Sequence, residues 1–356
     1  MTTESSDSAY LARDSAYLAR DSAYLARDSV NDMVRICDLS RVNTAPRQPR
    51  CGTLSGYLPC LSPAPPPEGL TMDSDHSIAV RNTYRYLRLA MIAVVLMLFL
   101  AVGIERLSST GWQTSISAYY FTAVHAVFIA ALCTIGACLI VYQGNTDTEE
   151  VVLNFSGFLA FVVAFVPTQR EPLYGPGLPA TYEVGMGIRN NVLALIITGV
   201  VVEIARIIIN RNVDRRPLSP WAKRATLIGW AVIGVGILGY AAFPANFEAK
   251  GHTVAAVTMF VGIIAVIVLN ALSAQSAQTG PSYVGSYKVI AGLMALLVLA
   301  IVLIRLTLPE FAHIVIWIEG VLILAFAAFW LVQTKELWDV VDRRDLAPNT
   351  TDPTGR

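Results

Sequence analysis

Hydrophobic and polar positions alternate along this chain in long blocks, not in the short periods of a soluble fold. From residue 86 onward, apolar runs cover 86–104, 119–142, 151–168, 191–210, 224–243, 252–273, 287–306 and 311–333. Each is close to the ~20 residues that a bilayer-spanning helix needs. Charges fall mostly between the runs, as in repeated membrane spans, and do not mark out one polar face per helix. The prediction is an all-α polytopic transmembrane bundle of about eight spans over residues 86–333, with a cytoplasmic flank at 72–85 and a cytoplasmic tail at 334–356.

The polar blocks set the orientation. Arg206–Arg216 with Lys223 and Arg224 carries six of the 26 basic residues. Such a cluster stays on the cytoplasmic side. An even number of spans then puts both termini on that side, N-in and C-in. That side collects 13 Lys and Arg, among them Arg81, Arg85, Arg88, Lys288, Lys335, Arg343 and Arg344, against five on the other (Arg106, Arg170, Arg189, Lys250, Arg305). The acidic loop 147–150 does not oppose this, because acidic residues contribute little to the rule. Trp112, Tyr119 and Tyr120 read as outer interfacial anchors, and Tyr142, Trp221, Trp330 and Trp338 as inner ones.

Composition fits. The chain of 356 residues is 54% hydrophobic and 15% charged, and its net charge of zero gives no reason to expect nucleic acid as a partner. The excess of Arg over Lys and the abundance of Ala suggest a GC-rich bacterial genome, hence an inner membrane. Residues 1–71 do not read as a domain. Asp7–Arg13 recurs as Asp14–Arg20 and Asp21–Arg27, and a Pro-rich stretch follows at 45–67. The expectation is a disordered tail, or an untranslated repeat with Met72 as the start. Cys37, Cys51 and Cys60 lie in that tail. Cys133 and Cys138 sit on different faces of one helix, so no disulfide or zinc framework is readable.

Two packing signals stand out. Thr122, Ala126, Ala130, Thr134 and Cys138 form a small-residue stripe in span two, and Gly229 and Gly236, with Gly239 near them, share a face in span five. The loop at 167–187, rich in Pro and Gly, is long enough either to cover a site or to be an idle surface loop.

Candidate chemistry is sparse. His125, His252 and His313 all begin even-numbered spans, at one depth near the outer side. Three imidazoles could bind zinc or carry protons if their helices were neighbours; otherwise they are interfacial side chains whose polar tips reach water. Zinc is the one cofactor these residues suggest, and no HxxxH or HExxH spacing supports it. Glu319 lies inside span eight, where a carboxylate costs several kcal/mol unless protonated or paired, and so is a ligand or proton candidate. Arg305 and His313 are its possible partners. Glu203 is three residues before Arg206, and the two read as a structural ion pair. No nucleotide loop or nucleophile-elbow motif is present.

Thr114-Ser-Ile-Ser-Ala-Tyr-Tyr120, leading to His125-Ala-Val-Phe128 and Val141-Tyr-Gln-Gly144, resembles bacterial multi-pass membrane proteins without an assigned reaction. It is also similar to the DRAM-type and related domain-of-unknown-function families. That resemblance covers residues 109–168 and implies a membrane protein of about six spans, where eight are read here. A more distant likeness is to the alkaline ceramidase-type superfamily, whose members hold zinc with histidines in a helical bundle. Spans one to four and five to eight share an orientation, as a parallel duplication would. Three functions are compatible with these readings: a bilayer protein that binds or moves a small-molecule or lipid ligand anchored by Glu319, a metal-dependent hydrolase built on the three histidines, or a scaffold using the stripe of span two.

Overall fold

The computed structural model describes residues 70–179, 184–210, 217–307, 313–340 and 343. The heptads, the Pro-rich stretch, the three tail cysteines, Arg211–Arg216 and Arg344 lie outside the described residues. Every long element described is helical: α1 (Leu70–Ser108), α2 (His125–Val141), α3 (Asp147–Phe165), α4 (Val184–Asn210), α5 (Pro220–Ala242), α6 (Pro244–Ser276), α7 (Pro281–Thr307) and α8 (Val315–Glu336). Seven are long and apolar enough to cross a membrane, and α2 is an apolar helix of 17 residues. The chain is a multi-pass membrane protein built as a helical bundle.

Local chemistry explains the helix ends. Thr146 caps α3 by accepting from the Glu149 N–H at 3.2 Å, and acidic residues fill the first turn, where the helix dipole favours them. Ser219 caps α5 in the same way from Ala222 N–H, with Pro220 at the first helical position. Phe243 alone separates α5 from α6, which restarts on Pro244.

Six helices form a closed ring. α1 packs on α2, α2 on α3, α3 on α6, α6 on α7, α7 on α8, and α8 back on α1. Helices α4 and α5 stand outside against α3, with α5 also touching α6. Only 6% of the apolar window of α4 or α5 is buried, against 44% for α3 and α6. This corrects the parallel duplication: α4 is peripheral, whereas its supposed counterpart α8 is a ring member.

The small-residue signals are also corrected. Ala126 and Ala130 are exposed. Helix α2 approaches α3 through a different face, about 200° round from Thr134 at 100° per residue. There, a Cβ on Gly136 would lie 2.8 Å from the Gly157 carbonyl, and one on Gly157 would lie 2.6 Å from the Gly136 carbonyl. In α5 only Gly229 meets a neighbour, the Phe155 ring at 3.4 Å, while Gly236 and Gly239 face open space.

Span two does not start at 119. Ser117–Phe121 is a single 3₁₀ turn, and the α-helix begins at His125. At 1.5 Å per residue α2 is about 26 Å long, short of a ~30 Å hydrocarbon core. Residues 114–124 precede it as an inward-folded plug with Ile116, Ala118, Tyr119, Tyr120, Phe121 and Val124 buried. Tyr119 and Tyr120 are therefore core residues and not interfacial anchors. So are Tyr142 and Trp330, whose rings meet edge to face at 5.1 Å, whereas Trp112, Trp221 and Trp338 are exposed.

A strap formed by residues 167–179 covers the plug. Leu178 N–H donates to Phe121 O at 2.8 Å, Thr110 N–H to Tyr174 O at 3.2 Å, and Tyr174 N–H to Gln113 Oε1 at 3.2 Å. Arg170 ties the strap to itself through the Leu178 and Pro179 carbonyls and lies over the Phe121 ring. Gly175 has φ 137°, and a Cβ there would also sit 2.8 Å from Ser109 Cβ. The expected loop 167–187 is shorter, since α4 begins at Val184 and residues 180–183 lie outside the described residues.

Candidate functional site

Beneath the plug, the ring encloses a cavity of about 120 Å³. Every ring helix contributes wall, for example Leu98, Phe128, Val163, Met259, Val298 and Phe326. These walls are apolar. The polar lining is Ser115 and Ser117 of the plug, Thr168 of the strap, His252 and Thr253 in the third turn of α6, Arg305 near the end of α7, and Glu319 of α8. All of these lie toward the plug end. The cavity is amphipathic along its length because the plug and strap supply polar backbone and hydroxyl groups where the ring helices supply only hydrocarbon.

Glu319 is held by the plug. Its Oε2 accepts from the Ile116 backbone N–H at 2.7 Å, and two residues from the start of α8 Ile316 N–H donates to Thr114 O at 3.1 Å. A carboxylate in an apolar interior needs such a partner. Arg305 shares the cavity, but its hydrogen bond goes to Glu171 Oε1 of the strap at 3.3 Å, with both side chains about a third exposed. Of the possible partners of Glu319, Arg305 thus lines the same cavity but hydrogen-bonds Glu171, while Ile116 N–H holds the carboxylate.

The histidines separate. His252 Nδ1 is 2.6 Å from Val166 O, and Nε2 is 2.9 Å from Ser117 Oγ. His125 Nδ1 is 2.6 Å from Tyr120 O, and the His125 ring packs on the Tyr120 ring at 4.3 Å. His313 is exposed just before α8. Of the three, only His252 lines the cavity. Among the described residues no group of three His, Cys, Asp or Glu side chains is placed to hold a metal. The candidate zinc triad does not converge: His252 lines the cavity from within α6, whereas His125 at the start of α2 and His313 before α8 do not reach it. Glu203 and Arg206 do meet on α4, Arg206 Nε donating to Glu203 Oε2 at 2.8 Å.

The opposite end of the ring holds a polar cluster in which Asn270, Tyr287 and Gln333 come from within apolar runs, while Glu149, Glu336 and Arg343 come from outside them. Glu149 is fully buried; Oε1 accepts from Asn270 Nδ2 at 2.7 Å and Oε2 from Asn145 N–H at 2.9 Å. Asn270 Oδ1 accepts from Gln333 Nε2 at 2.7 Å and from Arg343 Nη1 at 2.8 Å. Arg343 also grips Glu336, with Nε to Oε1 at 2.9 Å and Nη2 to Oε2 at 2.6 Å. Tyr287 donates its hydroxyl to Glu336. Arg88 is likewise buried, its Nε donating to Tyr142 OH at 3.2 Å. Burial opposes charge on Arg343, but the Glu336 carboxylate outweighs it and keeps that guanidinium above its ordinary pKa. Arg88 and Arg343 are thus internal charges and not flanking ones. One sequence signal could have flagged Glu149: Thr146-x-x-Glu149 is a capping-box spacing, which marks a helix start and not a loop. Arg343 carries no local signal.

Comparison of the chain with protein-family models, with curated proteins and with solved structures finds no match.

Proposed function

We propose that this protein binds, and by rearranging its plug moves, a small amphipathic molecule held in the ring cavity. The observation that carries this reading is the division of one cavity into apolar walls from all six ring helices and a polar end containing Glu319, His252 and Arg305. An apolar cavity of about 150 Å³ takes up benzene. At about 120 Å³ the present one suits a ring or short alkyl group, with the polar head beside Glu319. The ligand is therefore a small molecule, or a lipid that inserts only part of a chain.

The protein sits N-in and C-in in a bacterial inner membrane, with lipid covering the exposed apolar surfaces of α4 and α5. Leaving out Arg88 and Arg343 as internal charges, the Lys and Arg that the sequence assigns to the cytoplasmic side still outnumber those of the other side by 11 to five. The plug end then faces outward, and the ligand enters from outside the cell.

The binding reading is tested by native mass spectrometry of protein purified in mild detergent. Wild type retains a small amphiphile, Leu132→Trp (a cavity-lining position) loses it, and Glu319→Gln retains it at least tenfold more weakly. Equal retention by all three folded proteins would refute the site.

A further inference from the structure

We propose that Ser117 and His252 form a nucleophile–base pair that cleaves an acyl ester whose apolar group occupies the ring cavity. This rests on the cavity being the ligand site. Ser117 Oγ and His252 Nε2 are 2.9 Å apart, inside the ~2.6–3.2 Å reach of a serine and its general base. The base is oriented by a third group. Val166 O, on a fully buried residue, lies 2.6 Å from Nδ1. A carbonyl only accepts, so the Nδ1 proton points at Val166 and the Nε2 lone pair points at Ser117. This is the arrangement of an activated serine: nucleophile, imidazole, and an acceptor that fixes the tautomer.

Both side chains line the cavity. Ser117 is only half-buried, so its oxygen is reachable, while His252 is buried and held. The turn carrying Ser117 is pinned on either side. Ile116 N–H is bound by Glu319, and Ala118 N–H by the Ser115 hydroxyl at 3.1 Å. A nucleophile on a fixed turn at the polar end, with hydrocarbon walls beyond it, suits an ester with a short or cyclic acyl group and a polar alcohol.

The chemistry closes on named atoms. Ser117 Oγ bonds to the ester carbonyl carbon and its proton passes to His252 Nε2. The carbon–alkoxide bond breaks, and His252 returns the proton to the departing oxygen, releasing the alcohol. Water, its proton taken by His252 Nε2, then attacks the acyl-serine carbonyl carbon; the carbon–Oγ bond breaks, His252 gives that proton to Ser117 Oγ, and the acid is released. The cavity lining also carries the Thr168 and Thr253 hydroxyls and the Arg305 guanidinium, groups able to donate to a developing oxyanion.

The test uses the full chain in detergent with an alkyl fluorophosphonate probe, read by intact mass and peptide mapping. The expected result is one adduct on wild type, at Ser117, absent in Ser117→Ala and formed at least 100-fold more slowly in His252→Gln. Hydrolysis of para-nitrophenyl butyrate should follow the same order. The wild-type adduct site needs no variant to fold. Folded wild type without an adduct at Ser117 overturns the proposal, as does an unchanged rate in a folded His252→Gln. If the co-purified amphiphile is retained while Ser117 stays unlabelled, the binding reading stands and the nucleophile falls. If Leu132→Trp labels as fast as wild type, the assignment of the acyl group to the cavity falls.

Discussion

Arg343 shows what a single side chain can do in this bundle. It reaches Glu336, Asn270 and Tyr287 from a position beyond α8, where it is 2% exposed. Removing one partner of a buried ion pair leaves the other charge uncompensated, at a cost of about 3–5 kcal/mol. Arg343→Met should destabilise the protein by that amount in equilibrium unfolding in mixed micelles, and adding Glu336→Gln should recover most of it. A loss unaffected by the second substitution would mean that Arg343 acts through packing alone. At this scale the sequence was partly legible. Glu319 declared itself because a carboxylate inside an apolar run has no cheap alternative to a partner. Glu149 and Arg343 did not, because Glu149 lies two residues before an apolar run and Arg343 ten residues after one, where a charge ordinarily meets water. Ser117 was visible only as part of a motif. What makes it notable is a histidine 135 positions away in the chain.

The helices themselves were largely readable, since hydropathy over ~20 residues is a local property. The plug was not. Ser-Ala-Tyr-Tyr-Phe reads as a continuation of the apolar run, and its folding inward depends on groups such as Glu319, 203 positions away from Ile116. The α2–α3 contact shows the same limit. A five-residue stripe of small residues, one every four positions, was the stronger sequence signal, but the backbones approach through one glycine on each helix. Gly157→Ala would place a methyl 2.6 Å from the Gly136 carbonyl. Overpacking of this kind costs about 1–3 kcal/mol. The same unfolding assay should register that loss, while Ala130→Leu on the exposed stripe should leave stability within about 0.5 kcal/mol. If the stripe variant is the more damaging, the contact is misassigned.

Across the whole molecule, the closed ring with two helices outside it was not readable, because all eight segments are apolar and hydropathy does not distinguish a helix that faces protein from one that faces lipid. The orientation is testable at exposed connections. Lys250→Cys, at the start of α6, should react with an impermeant maleimide in intact cells. Gln278→Cys, in the α6–α7 turn, should react only after permeabilisation. The reverse pattern would turn the cavity mouth toward the cytoplasm. The scale of the ring also bears on ligand size, since its interior leaves room for a fragment and not for a whole phospholipid.

The exclusion of α4 and α5 from the ring has a consequence for biosynthesis. The cavity wall is made of two uninterrupted stretches of chain, α1–α3 and α6–α8, separated in time as well as in sequence. When α3 enters the bilayer, Glu149 has Asn145 beside it, but Asn270 is 121 residues from being made. Helices α4 and α5, whose ion pair Glu203–Arg206 lies within α4 itself, can insert meanwhile. A ribosome stalled after Ala242 would therefore leave a half-ring with an ionisable side chain turned toward hydrocarbon, the kind of exposure that membrane quality control removes. Supplying residues 244–356 as a second polypeptide should rescue that fragment, because the missing partners arrive together.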